Sequence, residues 1–384
     1  MTRPMSVVVI GAGAAGLSAA MAASRLGATV TVLEKDQYGQ ASSGLSAGIF
    51  NRQTVGADDL ALRLYSARAI GEFEREAGLT VARSGYVRLV RTEAQLELAR
   101  EAAARAGTEH VELISPQRLA EIAPGIRTDD VLCGMYGPTD GHIDGPELCA
   151  TYLRLGKQTG VRYVPGAELV GVRRSPARIE LLSTAGEFTA DVVINASGGW
   201  LGAVAQLFGH SVGMRNQRHQ TVMVRVDSLA DRDFPIVQSY FPGAEENAAY
   251  VRPERRGEFV AGLHSYAAHG PAADPESYSR TVELDYIEQV ATALVERFPQ
   301  WEDASFTSGW AGIYPISADG GFVIGPHAGD PRVVELGALS GVGLSFSPAV
   351  GQLAAEWAVL GESRTFDFAD SFLPDRPSLK VTSC

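Results

Sequence analysis

The chain is short of cysteine, of positive charge and of long apolar runs, and each shortage excludes a class of protein. Three cysteines in 384 residues, Cys133, Cys149 and Cys384, are too few and too scattered for a disulfide framework. None forms a Cys-x-x-Cys pair, so a reduced, cytoplasmic setting is expected. The seven histidines show no His-x-x-x-His spacing and no His/Cys cluster, so no metal is expected. Lys and Arg number 33 against 45 Asp and Glu, a net charge of -12. With no basic stripe to offset that charge, nucleic acid is not an expected partner. No stretch is apolar for long enough to span a membrane. Arg3, the apolar run after it and Ala20-Met-Ala22 imitate a secretory signal. Cleavage there would remove a strand and most of a helix that Glu34 needs beside it, so the run is read as structure.

What is present is an ordinary soluble composition, 45% apolar and 20% charged, with length enough for two packed domains. The most informative stretch is Ser6-Val-Val-Val-Ile10, then Gly11-Ala-Gly-Ala-Ala-Gly16, then Thr29-Val-Thr-Val-Leu-Glu34. It reads as strand, glycine turn, Ala-rich helix and second strand ending in an acid, the order of a dinucleotide-binding unit. Gly11 permits the sharp turn, Gly13 lets the backbone approach a pyrophosphate, and Gly16 lets helix and strand pack closely. The helix N-terminus then holds the phosphates. Glu34, roughly 20 residues past the glycines, accepts hydrogen bonds from ribose hydroxyls and disfavours a 2′-phosphate.

Further along, Gly39 to Arg52 is too small and flexible in composition to be core. Asp58 or Asp59 is expected to cap a helix running to about Gly78, and Thr92-Glu-Ala-Gln95 is a capping-box start. Ser115-Pro116 opens a short helix, and Pro146 another through Gln158. Ala190 to Trp200 reads as a buried strand ending in a glycine turn. Residues 280–298 are amphipathic. Residues 338–344 form a third glycine turn, followed by a helix from about Pro348 to Leu360 that Gly361 stops.

The opening motif, Ser42-Ser-Gly44 with Ala47-Gly48, Val192-Val-Ile-Asn-Ala196 with Gly198, Gly312-Ile-Tyr-Pro315 with Asp319, and Ser340-Gly-Val-Gly343 occur in that order. Together they resemble the D-amino-acid oxidase superfamily of FAD-dependent amine oxidoreductases, in the branch of sarcosine oxidase, its β subunit and glycine oxidase. The resemblance spans nearly the whole chain. It implies an α/β plus α+β architecture: a Rossmann-like FAD-binding domain of the glutathione-reductase type, discontinuous in sequence, with an inserted substrate domain of antiparallel sheet flanked by helices. The expected division is 1–82, 146–213 and 309–384 for FAD, and 83–145 and 214–308 for substrate.

The resemblance also implies a cofactor set. Gly11, Ala12, Gly13, Ala14, Ala15, Gly16, Glu34 and Lys35 surround the ADP half. Ser42, Ser43 and Gly48 lie along the pyrophosphate and flavin, and Val170 faces the adenine through its backbone. Ala196, Gly198 and Gly312 complete the cleft, and Gly341, Val342, Gly343 and Leu344 approach the pyrimidine end of the flavin. Covalent relatives attach flavin through a cysteine near Gly312 or a histidine near Gly44. Neither is present, so non-covalent FAD is expected.

Tyr250, His264 and Tyr314 fall where the family places pocket residues, and they are the catalytic candidates. Relatives clamp a substrate carboxylate with an arginine at the position of Tyr314, or with an arginine near Asn51 and a lysine near Ser345. None of these cations is present here, which leaves Arg52 and Arg218 as candidates beside Asn51, Tyr250 and Tyr314. Val260 stands where a lysine assists reaction with oxygen, so O2 and another electron acceptor both stay open, as does assembly with copies of the chain. The expected reaction is oxidation of a small secondary amine or α-amino acid to an imine by hydride transfer to the flavin. The alternatives are oxidation of a 2-hydroxy acid, or service as a flavin-carrying subunit of a larger dehydrogenase complex.

Overall fold

The β-branched runs at the start of the chain pair as parallel strands, as their continuous burial requires. The computed structural model describes residues 3–239, 241, 248–264 and 272–379; Cys384 lies outside them. A six-stranded sheet is ordered Val323–His327, Asp330–Gly337, Val192–Asn195, Ser6–Ile10, Thr29–Leu33, Arg162–Val164. All its pairings are parallel except that of the edge strand Val323–His327 with Asp330–Gly337.

Helix Ala14–Arg25 and the long helix Gly343–Leu360 pack against this sheet and against each other. The two helices approach closely because their contact is made of small residues. A Cβ on Gly351 would stand 2.4 Å from Ser18 Oγ. The long helix starts earlier than the proline suggests, at Gly343, with Pro348 inside it. Proline has no N–H to give the Leu344 carbonyl; Ser347 Oγ donates to that oxygen instead, at 2.8 Å.

An eight-stranded sheet forms the second layer system. Its order is Ser305–Ser317, Met214–Arg225, Glu258–His264, Ala248–Arg255, Ile236–Gln238, Tyr86–Val90, Cys133–Gly137, Glu112–Ile114. It is mixed rather than wholly antiparallel, since Ile236–Gln238 runs parallel to Tyr86–Val90. Strand Ser305–Ser317 also runs straight through the expected boundary at 308/309. One face, with Val87, Val222, Val237, Val251 and Phe259, packs on helix Leu284–Arg297 and on Phe298 and Trp301. Those two rings stack 4.2 Å apart.

Local capping follows the expected pattern in most places. Thr92 accepts from Gln95 N while Gln95 Oε1 accepts from Arg91 N, and Ser115 and Asp144 cap their helices. The exception is helix Ala57–Ala77, whose N-cap is Gly56. Asp58 and Asp59 sit in its first turn, where they favour the positive helix end, and Asp59 pairs with Arg63.

Candidate active site

The glycine turn is built so that no side chain could replace its hydrogens. Gly11 has φ of 101°, and a Cβ there would lie 2.5 Å from the Ala196 carbonyl oxygen. A Cβ on Gly16 would lie 2.1 Å from the Gly11 oxygen. The turn therefore brings strand, helix and the Ala196–Gly198 bend together, and the first-turn N–H groups of the helix open onto a cleft.

That cleft has two lobes that share Gly13, Ser42, Ser43, Ala196 and Gly198. The first, about 1270 Å³, is bordered by Gly11, Glu34, Lys35 and Trp200. Glu34 is held by Ala12 N at 2.7 Å and Asp36 N at 3.0 Å. Lys35 Nζ sits 3.9 Å over the Trp200 ring and 2.8 Å from Glu276, which also accepts from Trp200 Nε1.

The second lobe, about 990 Å³, is bordered by Ala14, Ala15, Gly341, Gly343 and Leu344. Thr221, Tyr250, His219, Trp310, Gly312 and Tyr314, all from the large sheet, complete its wall. Tyr250 OH and Thr221 Oγ1 are 3.1 Å apart, and Thr221 donates to the Ala261 carbonyl. Tyr314 stacks on His219 at 3.9 Å. Gly341 is required here: at φ of 82°, a Cβ would fall 2.4 Å from the Tyr314 ring.

Burial sets the protonation states in this lobe. It raises the Tyr250 and Tyr314 phenols. His219 is pushed down to about 4 by burial and by His264. His264, at the end of strand Glu258–His264, is exposed and borders neither lobe; crowding by the protein and the charge of Arg88 push its imidazole down. At neutral pH these rings are uncharged hydrogen-bonding groups.

Several expected site residues lie elsewhere. Arg52 is buried in an ion pair with Asp140 at 2.9 Å and also bonds Thr139 and His110. With Asn51 it borders a separate small cavity of about 250 Å³, where Asn51 accepts from Arg63. Arg218 is committed to Glu283 and to the carbonyls of Ser279 and Thr281. Neither arginine borders the cleft, because each satisfies its buried charge within the protein. Val170 is 58% exposed on strand Leu169–Arg174 of a three-stranded sheet with Ile179–Ser183 and Gly186–Ala190, and its neighbours Ala167, Glu168 and Leu169 border the first lobe. Gly48 packs against Ile143, where a Cβ would lie 1.9 Å from the carbonyl oxygen; it borders neither lobe. Val342 is the N-cap residue of the last helix, with its two glycine neighbours in the wall.

Thr221, Trp310 and Leu45, by contrast, are wall residues that sequence reasoning did not single out. Trp310 Nε1 donates to the Leu45 carbonyl at 2.9 Å, tying the large sheet to the Ser42–Gly44 loop. His219 is part of the wall as well.

A phosphate turn opening into a long cleft, roofed by a polar sheet face, defines a dinucleotide-dependent oxidoreductase of the two-domain flavoprotein class. The chain belongs to the DAO family, "FAD dependent oxidoreductase", whose model matches residues 6–357. Human mitochondrial dimethylglycine dehydrogenase is 25% identical over 371 residues, 92% of this chain and 42% of that protein. The chain thus spans less than half of that relative. Glycine oxidase of Geobacillus kaustophilus is 24% identical over 96% of each chain. The crystal structure of L-proline dehydrogenase from P. horikoshii superposes with a TM-score of 0.85 at 22% identity, covering 97% of this chain and 98% of that one. FAD is therefore the cofactor, and the residues present fit it: a glycine cradle that a Cβ would fill, a carboxylate at the ribose position and a two-lobed cleft.

Proposed function

We propose that the chain oxidises a small amine, a secondary amine or α-amino acid, to an imine. FAD, when bound, supplies the acceptor for the hydride that leaves the carbon next to nitrogen. The chain's own part is positioning. Gly11, Gly13 and the helix N-terminus hold the phosphates, Glu34 the ribose, and Ser42, Ser43 and Gly341–Leu344 the ring end. The start of helix Gly343–Leu360 places partial positive charge where reduction adds negative charge. Tyr250, Thr221 and Trp310 hold the substrate against the opposite side and exclude water. The domain division expected above is part of the proposal, with the strand Ser305–Ser317 crossing its 308/309 boundary.

The observation that carries the proposal is the uncharged wall. Removing hydride from an alcohol calls for a base matched to neutral pH. Among the described residues only one histidine, His219, borders the cleft, where it stacks on Tyr314 and burial holds its imidazole down, which disfavours the 2-hydroxy-acid reading. A neutral amine needs no such base. The amines named by the relatives, dimethylglycine, glycine and proline, agree with it. No cysteine among the described residues borders either lobe, which supports a non-covalent flavin. No helix among the described residues is long and apolar enough to cross a membrane; a cytoplasmic setting and the use of O2 remain part of the proposal.

Anaerobic mixing of the FAD-loaded chain with a panel of small amines tests it. Bleaching of the flavin absorbance is expected. A spectrum unchanged by every amine, yet bleached by dithionite, contradicts the proposal.

A further inference from the structure

Five arginines are buried among the described residues: Arg52, Arg88, Arg218, Arg252 and Arg297. Four of them have a carboxylate partner, respectively Asp140, Glu283, Glu254 and Asp130 for Arg52, Arg218, Arg252 and Arg297. Arg88 has none among the described residues. Its guanidinium bonds the Tyr86 hydroxyl at 3.0 Å, and its Nε is buried without a partner. A buried cation left unpaired is costly, and an anion from outside the chain would relieve the cost.

The sheet register shows where that anion would come from. Arg88 pairs with Gln238, Gln238 with Tyr250, and Tyr250 with Gly262. Laterally paired residues share a face of a sheet, so Arg88 and Gln238 extend the face on which Tyr250 borders the flavin-side lobe. Two strand spacings separate Arg88 from Tyr250, about 10 Å. The Arg88 charge also reaches His264, at the end of the strand next to that of Tyr250, and holds its imidazole down. Arg252, on the same face two residues from Tyr250, has a second unpartnered Nε.

We infer that Arg88 is a specificity residue that binds a carboxylate distal to the reacting C–N bond, so the substrate is an amine whose chain ends in an acid. Gln238 lies between the two ends and offers its amide to the linking chain. This rests on the amine-oxidising reading above, and it adds the length and charge of the substrate. Arg88 borders neither lobe, as Arg52 and Arg218 do not; it differs from them in having no carboxylate partner among the described residues, so an acid from outside the chain meets no competitor there.

The test compares 4-(methylamino)butanoate with N-methylbutylamine, which differ only in the acid, on the FAD-loaded chain. Arg88→Gln is expected to raise KM for the acid at least tenfold, to leave the neutral amine within twofold, and to leave flavin content unchanged. Arg88→Lys should recover part of the loss. Equal changes for both amines would overturn the inference. If neither amine reduces the flavin, the panel of small amines decides the amine reading, and calorimetry with glutarate decides the role of Arg88. Binding to the unaltered chain that weakens at least tenfold in Arg88→Gln, or in Arg88→Lys should the glutamine variant not fold, supports the subsite. Absence of binding to the unaltered chain, or equal binding to the variant, overturns it.

Discussion

The two ends of the cleft are built by different means. At the phosphate end, backbone does the binding. Gly11 and Gly16 keep Cβ atoms out of a space that the Ala196 and Gly11 carbonyls already crowd, and a Cβ on Gly13 would press on Ser43 Oγ at 3.2 Å. At the sheet end, side chains do it, through long-range pairs such as Tyr250 with Thr221 and Trp310 with Leu45. A backbone cradle tolerates almost no substitution, whereas a side-chain wall can change its chemistry residue by residue. One end is therefore fixed by the cofactor, and the other is free to follow the substrate.

The largest expected effect lies in neither end. Arg52→Ala leaves Asp140 buried without its partner and should cost about 3–5 kcal/mol of stability. Amine KM should stay unchanged if the arginine is structural, and a raised KM in a stable variant would return Arg52 to the substrate. Next is the cradle. Gly16→Ala forces the helix from the strand and should cost about 1–3 kcal/mol, read as a weaker FAD dissociation constant by fluorescence quenching. An unchanged constant would break the contrast between the two ends.

Asp130 gives a smaller, pH-dependent effect. Hydrogen bonds and charge from Arg297, with Arg127 nearby, hold its carboxyl down to about 2. The folded carboxyl sits below its unfolded value, so its stabilisation is full above about pH 4 and lost as pH falls through about 2. Allowing for its partial exposure, about 1–2 kcal/mol is at stake. Urea unfolding of Asp130→Asn should show a deficit at neutral pH that closes toward pH 2. The smallest effect is Tyr250→Phe, which removes the bond to Thr221 and should cost about 1 kcal/mol, or roughly fivefold in kcat/KM, with FAD affinity unaltered. A change in FAD affinity would place Tyr250 in the cofactor site instead.

The same contrast explains what the sequence could disclose. The turn Gly11–Gly16, Glu34 and the caps at Thr92 and Ser115 are local, and a reading of neighbours finds them. Pro348 misled because its compensation comes from the preceding serine, a detail with no signature of its own. The arginines misled for a deeper reason. Arg52 meets Asp140, 88 residues away, and Arg218 meets Glu283 across the sheet. A charge's partner decides whether it binds substrate or only the fold, and these partners are set by tertiary pairing. The rung that joins Arg88 to Tyr250 passes through Gln238 on an intervening strand. No spacing along the chain reveals it. Thr221 and Trp310 were hidden likewise, since polar and aromatic residues in strands are common on any sheet.

Mild acid extraction tests the central claim most directly, because everything above depends on FAD held by shape and backbone N–H groups without a covalent bond. The account predicts that all flavin leaves the precipitated chain as FAD and that the refolded, stripped chain takes back an equimolar amount. Flavin that stays with the denatured chain, or a folded chain that binds none, would contradict it.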